Sequence, residues 1–252
     1  MKIGYIGVGT IASCMIEGFC TANTSTQHTF FLSPRNAEKS ASLAAKYANI
    51  TVCGSNQQVV DEAEVVFISM LAHNCLDVLR GLNFRPDQQI INVVATIPPE
   101  DILQAVGVVG GFSHVIPLPS CKFQLGPIAA YPQSKFLTEL LAPLGTIVFA
   151  DAMDQIRAMQ AVTALMASFY DMLHQLTIFT ESEGLGRKEA VSFISTFFAS
   201  LCRDVEGADF AALAADMTPG GLNVLAQGIL NEKGAIKAWG DVMVPVMQRI
   251  KK

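Results

Sequence analysis

The hydrophobic pattern opens with Lys2-Ile3-Gly4-Tyr5-Ile6, an apolar burst too short for a helix and set directly before Gly7-Val8-Gly9. It predicts a buried strand running into a tight turn. Residues 11–20 then place apolar side chains at helical spacing, and Thr29-Phe30-Phe31-Leu32 is a second short strand ending in Ser33-Pro34-Arg35-Asn36. A helix over 37–48, a strand at Ile50-Thr51-Val52 and a short helix over 57–62 follow. Residues 64–70 and 89–95 are continuous apolar runs without alternation, as expected of parallel strands covered on both faces. A helix over 74–82 lies between them, and Pro98-Pro99-Glu100-Asp101 opens another that runs to Val106. Shorter strands at 113–116, 128–131 and 146–150, with a helix over 134–144, complete the series. Strands alternating with helices of this length predict an α/β domain over residues 1–152, built on a doubly wound parallel sheet.

The pattern changes after residue 152, where helix follows helix. Residues 154–183 contain neither proline nor glycine, enough for about 45 Å of unbroken helix at 1.5 Å per residue. Their apolar positions, including Ile156, Val162, Met166, Phe169, Tyr170, Leu173 and Phe179, cover most of the helix circumference. A helix apolar all round must be covered all round, and so short a segment of chain needs a second copy to do it. Residues 153–252 are therefore expected to form an all-α dimerisation domain, making a homodimer or higher homo-oligomer. Gly184-Leu185-Gly186 breaks the run, and helices over 187–205 and 209–216 follow. Thr218 as N-cap with Pro219 at the first helical position predicts a helix reaching Leu230. A last helix over 235–250 is expected to kink at Pro245.

Composition narrows the class. Hydrophobic residues make up 51% of the 252 and charged ones only 15%, which agrees with apolar surface being buried between copies. A net charge of −5 with no basic stripe argues against a nucleic-acid partner. The most apolar window, 158–179, is interrupted by Gln160, Asp171, His174 and Gln175, so no membrane span is expected. With no secretory leader in the opening residues and six cysteines scattered without C-x-x-C spacing, a soluble cytoplasmic protein with reduced thiols is the expectation. The histidines and cysteines never cluster at metal-ligand spacing, and no metal is expected.

The chemistry sits at the glycines. Gly7-x-Gly9-x-x-Ala12 between a strand and a helix is the dinucleotide fingerprint in its required setting. Gly7 permits the turn, Gly9 lets a pyrophosphate approach, and the first helical N–H groups, near Thr10 and Ile11, face the phosphates. About 20 residues further on, where NAD sites commonly place a carboxylate, stand Ser33, Arg35 and Asn36. A guanidinium beside a hydroxyl suits the 2′-phosphate of NADP(H); a solvated turn that happens to contain Arg is the alternative. A second anion cradle is expected at Thr218-Pro219-Gly220-Gly221-Leu222-Asn223, where a plain capped turn is the competing reading. His73, after the fourth strand, is either near the cofactor or an ordinary loop histidine; His114 and His174 read as packed or solvent-edge residues.

These two glycine-rich stretches and the architecture joining them resemble the pyrroline-5-carboxylate reductases. Tyr5-Ile6-Gly7-Val8-Gly9-Thr10-Ile11-Ala12 is similar to the family opening, and Ser33-Pro34-Arg35-Asn36 to its 2′-phosphate loop. Asn56 and the stretch Met70-Leu71-Ala72 fall where the family meets its cofactor. Thr180-Glu181-Ser182-Glu183-Gly184-Leu185-Gly186 resembles the break between its two main helices, and the loop from Thr218 to Asn223 its substrate loop, usually Ser-Pro-Gly-Gly-Thr-Thr. The resemblance implies a Rossmann-type domain and a helical dimerisation domain. It also implies NADPH-dependent reduction of the C=N bond of a small cyclic imino acid, pyrroline-5-carboxylate or a related imine. Gly220, Gly221 and Leu222 would then hold the substrate carboxylate, and Thr218 and Asn223 would act at the imine nitrogen. The chain departs from the family at Leu71-Ala72, usually Lys-Pro, at Leu118, usually Asn, and at Asn223. These departures keep open an NADP-binding sensor without turnover. A 3-hydroxyacid dehydrogenase is disfavoured, since no lysine occurs between Lys135 and Lys188 to match that family's catalytic one.

Overall fold

The computed structural model describes residues 1–22, 28–203, 205 and 207–251. The chain separates into two compact units, Met1–Gln160 and Ala161–Ile250.

The first unit alternates strands and helices: β1 (Lys2–Ile6), α1 (Thr10–Thr21), β2 (Thr29–Leu32), α2 (Ala37–Lys46), β3 (Ile50–Val52), α3 (Asn56–Glu62), β4 (Val65–Ile68), α4 (Cys75–Arg80), β5 (Gln89–Asn92), α5 (Pro99–Val106), β6 (Gly111–Ile116), β7 (Ile128–Tyr131), α6 (Lys135–Leu141), β8 (Ile147–Phe149) and α7 (Met153–Thr163), whose last residues pass into the second unit. The strands form one sheet in the order β3-β2-β1-β4-β5-β6-β7-β8. The order reverses between β1 and β4, so their carboxyl ends frame the crevice in which open α/β sheets bind ligands. All pairings are parallel except β6–β7, where His114 faces Tyr131 and Ile116 faces Ala129 in antiparallel register. The sheet is thus the expected doubly wound, mostly parallel one, with a single antiparallel pairing toward one edge. The link from β6 to β7 holds only a 3₁₀ turn (Pro119–Phe123) and cannot make the helical crossover that parallel pairing requires.

Side chains alternate between two cores. On one face Ile3, Tyr5, Phe30, Leu32 and Phe67 pack against Met15, Ile16 and Phe19 of α1 and Leu137 and Leu141 of α6. Tyr5 stacks on Phe67 with ring centroids 4.6 Å apart. On the other face Ile6, Phe31, Val66, Ile68 and Ile90 meet Val59 and Val60 of α3, Leu79 of α4 and Ile102 of α5. A smaller cluster seats Ile156 of α7 against Ile116, Ala129 and Ala150, which draws the first turns of α7 into this unit.

The second unit holds α8 (Met166–Ser182), α9 (Arg187–Leu201), α10 (Phe210–Ala215), α11 (Leu222–Glu232), α12 (Ala235–Asp241) and α13 (Met243–Ile250). The expected unbroken helix over 154–183 is instead two, α7 and α8, separated at Ala164-Leu165. There the N–H groups of Ala164 and Leu165 bond three residues back, to the carbonyls of Ala161 and Val162, each at 3.1 Å. The helix tightens for one turn and restarts. Pro245 stands in the first turn of α13, where its missing N–H costs nothing, and α12 has already ended at Asp241, the residue whose carbonyl that N–H would have met. The helix expected over 187–205 ends at Leu201.

Candidate functional site

A cleft of about 630 Å³ opens where β1, β2 and β4 end, framed by the glycine turn, the start of α2 and the residues after β4. Gly7 adopts φ +92°, and a Cβ there would lie 2.8 Å from the Ser69 carbonyl oxygen. Only glycine fits this turn. Gly9 has no atom within 4 Å of where its Cβ would stand, so the open space of the cleft reaches the backbone itself. It is the N-cap of α1, and no side chain caps that helix. The first N–H groups of α1 therefore have no intrahelical partner and give the cleft a positive floor.

Three side chains hold this turn in place. Ser33, fully buried at the end of β2, accepts a hydrogen bond from the Gly7 N–H at 2.8 Å. Ser69 donates to the Gly7 carbonyl from the end of β4. Asn36 donates from Nδ2 to the Val8 carbonyl at 3.0 Å, while its Oδ1 accepts from the Lys39 N–H as the N-cap of α2. The Lys39 ammonium in turn donates to Thr10 Oγ1 at 3.1 Å. The starts of α1 and α2 are thus tied together across the mouth of the cleft.

Of the residues expected at a cofactor, Gly7, Gly9, Thr10, Arg35, Asn36, Met70 and Leu71 line this cleft. Ser33 and Asn56 line a smaller adjoining cavity of about 120 Å³ with Gly7, Arg35, Met70, Asn74 and Val78. Ile11, Ala72 and His73 line neither. The hydroxyl of Ser33 serves the turn, not the rim beside Arg35. Lys39, Ser69 and Asn74 were not singled out in the sequence. An N-cap Asn36 was a usable signal for Lys39, because side chains in a first helical turn lean back toward the cap. Asn74 carries a buried Oδ1 without a hydrogen-bond partner.

The second glycine-rich stretch lies in the second unit. Thr218 is not the N-cap of α11; Gly221 is, and Thr218-Pro219-Gly220-Gly221 forms a turn with Gly220 at φ +70°. The Gly221 N–H donates to the Thr218 carbonyl at 2.9 Å, so this expected carboxylate donor is already engaged. Leu222 begins α11 and is 83% exposed, and Asn223 Nδ2 reaches Met217 Sδ at 3.4 Å.

Elsewhere, burial pushes the Cys20 and Cys75 thiols up to about 11, which leaves them protonated at neutral pH. Among the described residues no group of three His, Cys, Asp or Glu side chains is arranged to hold a metal, and no helix is long and apolar enough to cross a membrane.

Fold and cleft together define a dinucleotide-binding α/β unit followed by a helical unit. Residues 2–96 match the family described as "NADP oxidoreductase coenzyme F420-dependent". Over its whole length the chain superposes on pyrroline-5-carboxylate reductase from Streptococcus pyogenes, with a TM-score of 0.83, 20% identity and 98% of that chain covered. The Plasmodium falciparum pyrroline carboxylate reductase with NADP bound gives a TM-score of 0.84 at 15% identity, covering 100% of this chain and 97% of that one. A reductive aminase from Aspergillus terreus in complex with NADPH and ethyl-5-oxohexanoate gives 0.60 at 15% identity, covering 99% and 92%. The chain thus shares the fold of the pyrroline-5-carboxylate reductases at low sequence identity. By sequence it is similar to ComE operon protein 4 of Bacillus subtilis, 29% identical over 108 residues, 42% of this chain and 40% of that protein. It is also similar to pyrroline-5-carboxylate reductase 1 of Bacillus spizizenii, 27% identical over 156 residues, 58% of this chain and 52% of the relative. The matches thus span only about half or less of the curated relatives' own length.

Proposed function

We propose that the protein is an NADPH-dependent reductase of the C=N bond in a small cyclic imino acid, pyrroline-5-carboxylate or a related imine. The observation that carries this reading is the cleft. An uncapped helix start, a glycine open to solvent and cations at the rim fit the pyrophosphate and 2′-phosphate of this cofactor. When bound, NADPH supplies the hydride that converts C=N to CH–NH, with a proton taken up at nitrogen. The chain's task is to bind, orient and exclude water. Gly7, Gly9 and the first N–H groups of α1 hold the pyrophosphate, and Arg35 stands at the 2′-phosphate. Gly220 and Leu222 receive the substrate carboxylate, with Thr218 or Asn223 hydrogen-bonding the imine nitrogen.

We further propose a homodimer through the helical unit. Phe193, Phe197, Tyr170 and Phe179 stand exposed on α8 and α9 of a single chain, large apolar side chains that a second copy would cover. The second reading is an NADP-binding sensor, favoured by Leu71, 70% exposed at the cleft where the resembled family carries Lys. Following NADPH oxidation with pyrroline-5-carboxylate tests the choice. Turnover that falls at least about tenfold in a Thr218→Ala, Asn223→Ala double variant supports the reductase; unchanged turnover in that variant removes the role given to the loop. Tight NADPH binding without oxidation by any imine supports the sensor.

A further inference from the structure

The cleft takes in the ends of β1, β2 and β4, and its lining stops at Leu71. A dinucleotide lies across such a crevice with its pyrophosphate at the glycine turn and its two nucleotides on opposite sides. Arg35 and Asn36 follow β2, so the second nucleotide extends the other way, over β4 and its neighbour β5. β5 runs parallel to β4, and the Val93 N–H donates to the Ile68 carbonyl at 3.0 Å. The loop after β5 therefore stands beside Ser69-Met70-Leu71, with Ala95 and Thr96 exposed in it. Three contacts hold this loop. Asn92, buried at the end of β5, accepts from the Val94 N–H at 2.9 Å and starts the turn. Gln160 of α7 donates from Nε2 to the Ala95 carbonyl. Arg157, one turn earlier on α7, pairs at 3.0 Å with Glu100 in the first turn of α5, where the loop ends. Ile156, wholly buried against Ile116, Ala129 and Ala150, fixes α7, and all these residues belong to the first unit. Contacts between partly exposed partners add little to stability. Two of them, from one helix to the two ends of one loop, serve its placement.

We propose that Gln160 and Arg157 are positioning residues: from α7 they hold the backbone of the loop after β5 against the nicotinamide half of the cofactor. This rests on the NADPH reading above. The phosphates are held at the glycine turn and beyond it, so the two side chains govern where the nicotinamide ring stands. A ring misplaced by about 1 Å loses rate steeply.

The test is the affinity of the full chain for NADPH and for 2′,5′-ADP, which has no nicotinamide, in wild type, Gln160→Met, Arg157→Met and Arg157→Lys. Both methionine variants keep the length of the side chain and lose its polar contact. They are expected to weaken NADPH by about threefold or more, while 2′,5′-ADP moves by less than about twofold. Retained 2′,5′-ADP binding reports that the cleft is folded. Arg157→Lys is expected to restore most of the NADPH affinity, since an ammonium can still pair with Glu100. Turnover with pyrroline-5-carboxylate is expected to fall about tenfold or more in the methionine variants. An unchanged ratio of the two affinities in both of them, whether neither moves or both fall together, would overturn the inference. So would turnover at the wild-type rate. A wild-type protein that binds neither probe would instead sink the NADPH reading itself.

Discussion

Gly7 and Gly9 are alike in the sequence and differ in what replacing them does. At Gly7 an added Cβ meets the Ser69 carbonyl at 2.8 Å in a backbone of φ +92°, so Gly7→Ala is expected to cost roughly 1–2 kcal/mol or more and to lose dinucleotide binding with it. At Gly9 nothing stands within 4 Å. Gly9→Ala is expected to keep the melting temperature and still weaken NADPH binding at least about tenfold, because the new methyl occupies ligand space. Thermal melts beside a cofactor titration separate the two. His114 makes a prediction of another kind. It is buried in β6 with Nδ1 2.9 Å from Asn92 Nδ2, and burial pushes its pKa from 6.5 down to about 4. The unfolded chain therefore binds the extra proton first. Stability is complete above pH 6.5 and falls as pH drops from 6.5 toward 4, by roughly 3 kcal/mol in all. His28 shifts in the same direction, also through burial, so the comparison must be with a variant. Urea midpoints at neutral and acid pH are expected to differ less in His114→Gln than in wild type. The fingerprint glycines were legible because their spacing encodes backbone geometry. Lys39 and Ser33 were harder to place, since their roles depend on the distance between chain segments that only folding brings together.

At the scale of elements, strand and helix positions followed from apolar periodicity, and β1, β2, β3 and β7 have the bounds their patterns give. Other features left no mark. The antiparallel turn of β7 is set by what its connection lacks. The tightened turn at Ala164-Leu165 contains neither proline nor glycine, so no breaker announces it. Thr218-Pro219 read as a helix start, but the positive φ available to Gly220 lets the chain turn once more and moves the cap to Gly221. One link between elements is open to test. Ser33 at the end of β2 satisfies the Gly7 N–H at the end of β1. Ser33→Ala leaves that donor unpaired, at an expected cost of about 1–3 kcal/mol, and is expected to loosen the phosphate turn. Denaturant unfolding measures the first effect, and NADPH affinity the second.

For the whole molecule, the two units differ in how well each is covered. The sheet carries a core on both faces, whereas in the helical unit Ala190, Ile194 and Thr177 are among the few buried side chains. Helices of this kind reach ordinary packing when a second copy supplies the missing surface, which agrees with a chain 51% hydrophobic and 15% charged. Light scattering is expected to give a dimer or larger even-numbered assembly for wild type. Phe193→Glu and Phe197→Glu are expected to drive it toward monomer; a monomeric wild type would refute the proposed pairing.

The central claim is that the cleft between the glycine turn and the start of α2 receives NADPH. The most direct test is a crystal structure of the protein grown with that cofactor. The account predicts the pyrophosphate against the first N–H groups of α1 beside Gly9, and the 2′-phosphate at Arg35. A dinucleotide bound elsewhere, or one whose phosphates avoid the start of α1, would contradict it.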